Sequence, residues 1–135
     1  MHPISKADGL PGEAYSSLIR ARFWLVADEG QGYLGIGRIK LLENIDRFGS
    51  INQAAKAMGM SYKKAWKLID EVNRMTDQPL VISEKGGATG GGTRLTTQGQ
   101  AYVASFRGLE ARLSAFLQQE SERLHNEVRG LTAKM

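Results

Sequence analysis

The sequence predicts a mainly α-helical fold with small β elements: a winged helix-turn-helix with an N-terminal β-hairpin and a long C-terminal dimerisation helix. Three observations indicate it. Residues 50–75 contain two helical patterns separated by a glycine, residues 80–96 contain two short apolar runs around a glycine-rich loop, and residues 102–116 repeat apolar side chains with heptad spacing. With 135 residues, of which 41% are hydrophobic, the chain is expected to bury one core.

The helix-turn-helix is predicted from its helix boundaries. Ser50 suits an N-cap, and Gln53 three residues later completes a capping box. Apolar residues then recur every three or four positions until Gly59, which can end this first helix. Ser61 can cap a second helix that keeps its cations off the apolar face. These cations are Lys63, Lys64, Lys67 and Arg74.

Two interpretations fit residues 50–75. A short helix, a glycine turn and a second helix with lysines at its start is the layout of a DNA-binding helix-turn-helix. A structural hairpin of two helices with a solvated charged face has the same pattern. The net charge of +4 and the pI near 9.5 are compatible with a polyanionic partner without requiring one.

The segments before residue 50 are expected to flank this core. Residues 1–20, with scattered proline and glycine and no periodicity, are predicted to be flexible. Residues 21–35 are predicted to form a β-hairpin, because an aromatic and β-branched run is followed by glycines. Residues 37–48 are predicted to form a helix closed by Gly49, with an ordinary charged surface on its polar side.

Residues 80–96 predict the wing. Leu80-Val81-Ile82 and Leu95-Thr96 are strand-like, and five of the seven residues from 86 to 92 are glycine, which lets backbone N–H groups approach phosphates. A disordered linker is the alternative, although strand-like segments on both sides disfavour it. Thr93 follows the last glycine where a nucleotide-binding P-loop has lysine, so a P-loop is not expected.

The last helix is predicted over residues 98–126, capped by Thr96 or Thr97. Its apolar residues step by four and three, as in a coiled-coil seam, which either packs on the core or pairs with a second subunit. A helix of this length extends past a small core, which favours pairing. The expected dimer interface comprises Tyr102, Phe106, Leu109, Leu113 and Phe116.

Several function classes are not expected. The chain has no cysteine, which excludes disulfides and thiolate metal sites. Its apolar runs are too short for a membrane span and its N-terminus lacks a signal-peptide pattern, so a cytoplasmic location is expected. Residues 30–35 match G-x-G-x-x-G without the βαβ pattern of a dinucleotide site. Both histidines, His2 and His125, lie near the termini, so no catalytic residue and no metal site are expected.

The stretch from Gly37 to Gly99 resembles the N-terminal domain of the ModE family, the molybdate-responsive bacterial transcriptional regulators with a LysR-like winged helix. The motifs that carry the resemblance are Gly37-Arg38, Gly49-Ser50-Ile51, Gly59-Met60-Ser61-Tyr62-Lys63-Lys64-Ala65-Trp66, Asp70-Glu71-Val72-Asn73, the wing glycines and Leu95-Thr96. The resemblance implies a homodimer that places the helix-turn-helix and the wing on double-stranded DNA. Full-length members continue into a molybdate-binding region that is not evident here, so a stand-alone form without a cofactor is expected.

The start of the second helix is expected to contact base edges in the major groove, through Ser61, Tyr62, Lys63, Lys64 and Lys67. Trp66 is expected in the core or at its rim. Contacts to the phosphate backbone of DNA are expected from the first helix and from the wing. Their candidates are Ser50, Gln53, Lys85, Thr93 and Arg94.

The predicted function is a sequence-specific transcriptional regulator that acts as a homodimer on a pseudo-palindromic operator, with a link to molybdenum metabolism. The alternatives are a winged-helix protein-interaction module and a nonspecific architectural DNA-binding module. An enzyme is not expected, because no second motif accompanies the glycine loops or the S-x-x-K pattern at residues 61–64.

Overall fold

The structure, a computed structural model, describes residues 11–27, 32–84 and 92–134, with side chains described as far as residue 129. The strands within these ranges form three antiparallel two-stranded sheets, β1–β2, β3–β4 and β5–β6. Contacts divide the chain into two units, residues 23–107 and residues 1–22 with 108–135. In chain order the elements are β1 (Glu13–Ala14), β2 (Arg20–Ala21), β3 (Leu25–Val26), β4 (Tyr33–Leu34), α1 (Ile36–Phe48), α2 (Ile51–Ala57), α3 (Tyr62–Asn73), β5 (Val81–Glu84), β6 (Gly92–Leu95) and α4 (Thr97–Lys134).

The unit of residues 23–107 is a winged helix-turn-helix, which confirms the predicted fold class. The buried positions of α1 recur with helical spacing, as expected, and include Ile39, Leu42 and Ile45. They pack with buried residues of α2, α3 and the wing in one apolar cluster. α1 ends at Gly49, whose φ of +67° lies in the left-handed region that glycine adopts without strain.

β5 and β6 form the base of the wing. Their register pairs Val81 with Leu95 and Glu84 with Gly92, so the two strands leave and return as a hairpin. Residues 85–91, the predicted glycine loop, lie outside the described residues. The paired strands on both sides of the loop support the wing over the linker interpretation.

One side chain, Asn73, joins the end of α3 to this wing. Its Oδ1 accepts hydrogen bonds from the backbone N–H groups of Leu80 and Val81, at 2.9 and 3.0 Å. Its Nδ2 donates to the carbonyl oxygen of Val81 at 3.0 Å. These groups lie where the chain enters β5, so Asn73 determines where the wing begins.

The start of α4 lies against the same turn. The N–H of Thr96 donates to the Leu80 carbonyl at 2.9 Å, and Oγ1 of Thr96 accepts from the N–H of Gly99 at 3.0 Å. Of the two predicted caps, Thr96 is therefore the one that caps α4. A Cβ at Gly99 would collide with the Leu80 carbonyl oxygen, so this close approach requires glycine.

The polar side of α1 is not the ordinary surface that we predicted. The Arg38 guanidinium lies 2.7 Å from the Glu71 carboxylate and 4.1 Å from the centre of the Tyr33 ring, and its side chain is only 11% exposed. Glu43 pairs with Arg107 at 2.7 Å. These ion pairs join α1 to α3 and to α4, which helical periodicity alone does not predict.

The predicted hairpin over residues 21–35 is shorter than expected. β3 pairs with β4 through Leu25 with Leu34 and Val26 with Tyr33. The pairing does not extend back to residue 21 because Arg20–Ala21 pair with Glu13–Ala14 in a separate sheet. Phe23, between the two strands, stacks its ring on Phe106 with centroids 4.5 Å apart. Residues 28–31, the predicted turn, are not among the described residues.

The other unit combines β1 and β2 with α4 from residue 108 onward. Residues 11–20, predicted to be flexible, instead contain β1 and most of a hairpin in which Glu13 pairs with Ala21. The hydroxyl of Ser121, which is 4% exposed, accepts a hydrogen bond from the N–H of Leu18 at 3.2 Å. The Tyr15 hydroxyl donates to the Glu110 carboxylate, also at 3.2 Å.

α4 is longer than predicted. It spans 38 residues, Thr97–Lys134, rather than residues 98–126, because no proline interrupts this part of the sequence. The boundary between the two units falls within this helix, after Arg107. Neither α4 nor any other described helix is both long and apolar enough to cross a membrane.

We expect Asn73→Ala to lower the free energy of unfolding by about 2 kcal/mol, because it leaves two backbone N–H groups without their acceptor. Urea denaturation at fixed protein concentration measures this change. The matched control is Asn52→Ala, which removes an exposed asparagine on α2 and should cost about 0.5 kcal/mol or less. Equal losses in the two variants would contradict the role assigned to Asn73.

Candidate nucleic-acid interface

α2, the turn at Gly59 and α3 form one exposed surface between two capped helices. The Ser50 hydroxyl accepts a hydrogen bond from the N–H of Gln53 at 3.1 Å, and the Ser61 hydroxyl accepts from the N–H of Lys64 at 3.0 Å, as predicted. Gly59 has a φ of +66°, which lets the chain reverse between the helices. The caps fix where each helix begins, and hence which residues occupy the first turn of α3.

Four exposed lysines surround this surface, and the sequence from residue 51 to residue 69 contains no acid. Judged on the described ranges, none of these lysines has a carboxylate within 4 Å, whereas four arginines, in α1, at the C-cap of α3, in β6 and in α4, each pair with one. The lysine charges are thus available to an external anion. The four lysines are Lys56, Lys63, Lys64 and Lys67.

Ser50 lines a groove between α2, α3 and the wing. Hydroxyl and amide groups line this open cavity of about 410 Å³, among them those of Ser50, Asn52 and Ser83. The Ser50 oxygen already accepts a hydrogen bond, but its proton remains available for donation to a phosphate. The Gln53 side chain is exposed on α2.

In the wing, Thr93 is not exposed for the contact to the DNA phosphate backbone that we predicted. It is only 8% exposed, and its hydroxyl lies 3.1 Å from that of Ser83 across the strand pair. Strand alternation turns Thr93 inward and Arg94 outward. Arg94 is exposed and pairs with Glu84 at 2.8 Å, while Lys85 lies outside the described residues.

Trp66 is exposed, and its predicted place in the core or at its rim is wrong. The buried face of α3 consists of Ala65, Ile69 and Val72, and Trp66 lies to one side of it with 53% of its surface exposed. Tyr62, one turn earlier, is also 53% exposed. The signal was present in the sequence, because Trp66 does not share the spacing of the apolar set.

The heptad seam of α4 divides between two environments. Phe106 is 1% exposed and belongs to the core, and Tyr102 packs against the same core, so neither lies on a free surface. This corrects the assignment of Phe106 to a dimer interface. Further along α4, Leu109 and Phe116 are 39% and 56% exposed, with Leu113 half-buried between them.

The two described glycines of the G-x-G-x-x-G match, Gly32 and Gly35, have packing roles. A Cβ at Gly32 would meet the side chain of Met75, and a Cβ at Gly35 would meet the ring of Trp24. Gly35 also precedes α1 as its N-cap. No cluster of three or more acidic or histidine side chains suited to a metal ion occurs among the residues that the structure describes.

Comparisons with known proteins agree with this geometry. Residues 36–100 match the family model of the "Bacterial regulatory helix-turn-helix protein, lysR family". The molybdenum transport protein ModE of Azotobacter vinelandii is 49% identical over 110 residues, which cover 82% of this chain and 40% of that relative. This chain belongs to the ModE family. The resemblance seen from Gly37 to Gly99 is confirmed, and membership of a regulatory family supports the expectation that the chain is not an enzyme.

Two further relatives extend the comparison. The molybdenum-pterin-binding protein MopA of Rhodobacter capsulatus is 46% identical over 88 residues, 65% of this chain and 33% of the relative. The DNA-binding transcriptional dual regulator ModE of Escherichia coli (strain K12) is 47% identical over 66 residues, 49% of this chain and 25% of the relative. The chain thus spans well under half the length of these three ModE-family relatives.

We expect Lys63→Ala and Lys67→Ala each to weaken binding to duplex DNA about fivefold or more, because each removes an exposed charge from the start of α3. Fluorescence anisotropy over a range of salt concentrations measures affinity, and a lysine that neutralises a phosphate also lowers the salt slope by about 1. Lys40→Ala, on the exposed side of α1, is the matched control. A loss as large in the Lys40 variant would show that the effect is a general loss of positive charge, and unchanged affinity in both α3 variants would remove α3 from the interface.

Proposed function

We propose that this chain binds double-stranded DNA sequence-specifically as a homodimer and regulates genes linked to molybdenum metabolism. The observation that carries this proposal is the exposed start of α3, where lysines without described carboxylate partners surround a capped helix end. An α-helix fits the major groove of B-DNA, where base edges meet its first turns and phosphates flank it. Acting on chromosomal DNA, the protein works in the bacterial cytoplasm.

The proposed contacts to DNA differ between α3, α2 and the wing. Ser61, Tyr62, Lys63, Lys64 and Lys67 lie in the first two turns of α3 and face the base edges and adjacent phosphates. Ser50 and Gln53 at the start of α2 meet the phosphate backbone beside the groove. In the wing, Arg94 and Lys85 remain candidates for contacts to the phosphate backbone of DNA.

The homodimer is supported by the exposed apolar residues of α4. Leu109 and Phe116 are separated by seven residues, two turns of helix, on the same side of α4. Exposed apolar side chains at heptad spacing bury their surface by pairing with the same helix of a second subunit. A two-fold dimer binds two inverted half-sites separated by about 34 Å, one turn of DNA, or a multiple of it.

The link to molybdenum comes from the relatives, two of which carry molybdenum in their names and one of which is named a DNA-binding transcriptional regulator. The chain covers at most 40% of these relatives, so we extend to it their DNA-binding part alone. DNA binding by this chain needs no cofactor.

The test is affinity selection from a random duplex pool at physiological salt, followed by sequencing of the retained DNA. We expect an inverted repeat whose half-sites lie a whole number of helical turns apart. Retention without a consensus would overturn sequence specificity and leave a nonspecific architectural binder. No retention would favour the protein-interaction alternative, in which the exposed face of α4 binds another protein.

We expect Phe116→Asp to shift the protein from dimer to monomer, because it places a charge in the proposed seam. Sedimentation equilibrium with and without DNA measures the shift. Ala115→Asp adds the same charge to the neighbouring exposed position, about 100° around α4, and should leave the dimer intact. If both variants remain dimeric, α4 is not the interface.

A further inference from the structure

Tyr62 and Trp66 are a pair of exposed aromatic rings on the proposed recognition helix. Each is 53% exposed, and their separation of four residues places them about 6 Å apart along the same side of α3. Neither ring contributes to the buried face formed by Ala65, Ile69 and Val72. Their exposure therefore has no explanation in the packing of the helix.

Other exposed rings of the same unit have a covering cation. The Arg38 guanidinium lies over Tyr33 at 4.1 Å, and that of Arg47 lies over Phe48 at 5.2 Å. No stacked ring or covering cation accompanies Tyr62 or Trp66 among the described residues. Two apolar surfaces thus face outward at the place where the lysines also lie.

The lysines determine what kind of partner covers these rings. Lys63 lies between Tyr62 and Trp66 in sequence, and Lys67 follows directly, with no acid from residue 51 to residue 69. Glu84, which lines the groove beside Tyr62, is paired with Arg94. A polyanion fits this charge, whereas an apolar protein surface would have to desolvate the ammonium groups. The rings are therefore placed against DNA.

Duplex geometry then limits what the rings can contact. A helix in the major groove meets the edges of stacked bases, so stacking on a base face is not available to it without unpairing. The four base pairs present hydrogen-bonding groups there and one apolar group, the C5-methyl of thymine. Large apolar side chains on a major-groove helix can therefore pack against that methyl group.

We infer that Tyr62 and Trp66 contact thymine methyl groups, so that the half-site contains T·A pairs opposite the first two turns of α3. The inference rests on the proposed function and adds the base that these residues specify. Burying one methyl group against a ring favours binding about fourfold. The neighbouring lysines supply affinity for any sequence, while the two rings supply discrimination.

The experiment replaces thymine by deoxyuridine, which removes the methyl group and leaves every hydrogen-bonding group in place. Each thymine of the half-site recovered by selection is replaced singly, and affinity is measured for the wild-type protein and for Tyr62→Ala and Trp66→Ala. We expect an approximately fourfold loss at one or more positions with the wild type. The loss at a given position should disappear in the variant that lacks the contacting ring.

Trp24→Ala is the control, since Trp24 is 49% exposed but lies outside α3, and this variant should keep every deoxyuridine penalty.

Equal wild-type affinity for thymine and deoxyuridine at every position would overturn the inference while specific DNA binding stands. Penalties that persist in both ring variants would assign the methyl contacts to other residues and would also overturn it. Selection without a consensus would remove the proposed function and the inference together. Whether the thymine methyl groups contribute to affinity is decided with the wild-type protein alone, so this test does not depend on the folding of either variant.

Discussion

The hydrogen bonds around Leu80 hold together the parts of the winged unit. The Leu80 N–H donates to the Asn73 carboxamide at the end of α3, while its carbonyl accepts from the N–H of Thr96 before α4. Gly99 approaches the same carbonyl so closely that no side chain fits. One buried residue therefore brings together the end of α3, the first strand of the wing and the first turn of α4. The surface formed by α2, α3 and β6 keeps its geometry because these backbone groups are all satisfied.

Cations in this unit have two distinct uses. Arg38 and Arg107 bind carboxylates on other elements, where a planar guanidinium holds a fixed geometry. The lysines of α2 and α3 are left exposed on flexible stems. A compact, hydrated ammonium on a flexible stem suits the phosphates of the proposed DNA partner, whereas the exposed Arg94 of the wing already has a carboxylate partner in Glu84.

Features fixed by local sequence were predictable. The caps at Ser50 and Ser61 depend only on a hydroxyl three residues before a backbone N–H, and the turn at Gly59 depends on a positive φ. Features fixed by tertiary pairing were not. The burial of Phe106 follows from its contact with Phe23, more than eighty residues away in the chain, and the ion pair of Arg38 follows from the approach of α3 to α1.

The candidate surface divides in the same way. The exposed lysines were predictable because they are off the apolar stripe of α3, whereas Trp66 was assigned to the core or its rim because platforms for single strands usually present several exposed aromatic rings. Asn73 belongs to the motif that carries the family resemblance, but its role depends on a turn whose geometry no local pattern specifies.

The separation between the two faces of α3 has a consequence for how such proteins diversify. The inward face, with Ala65, Ile69 and Val72, holds the fold together with Glu71 and Asn73 near the end of α3, whereas the exposed residues of its first two turns contribute little to it. Exposed substitutions typically change stability by about 0.5 kcal/mol or less. If α3 reads DNA as we propose, target preference can change by substitution at these exposed positions while folding is preserved, and protein engineers can exchange them as a set.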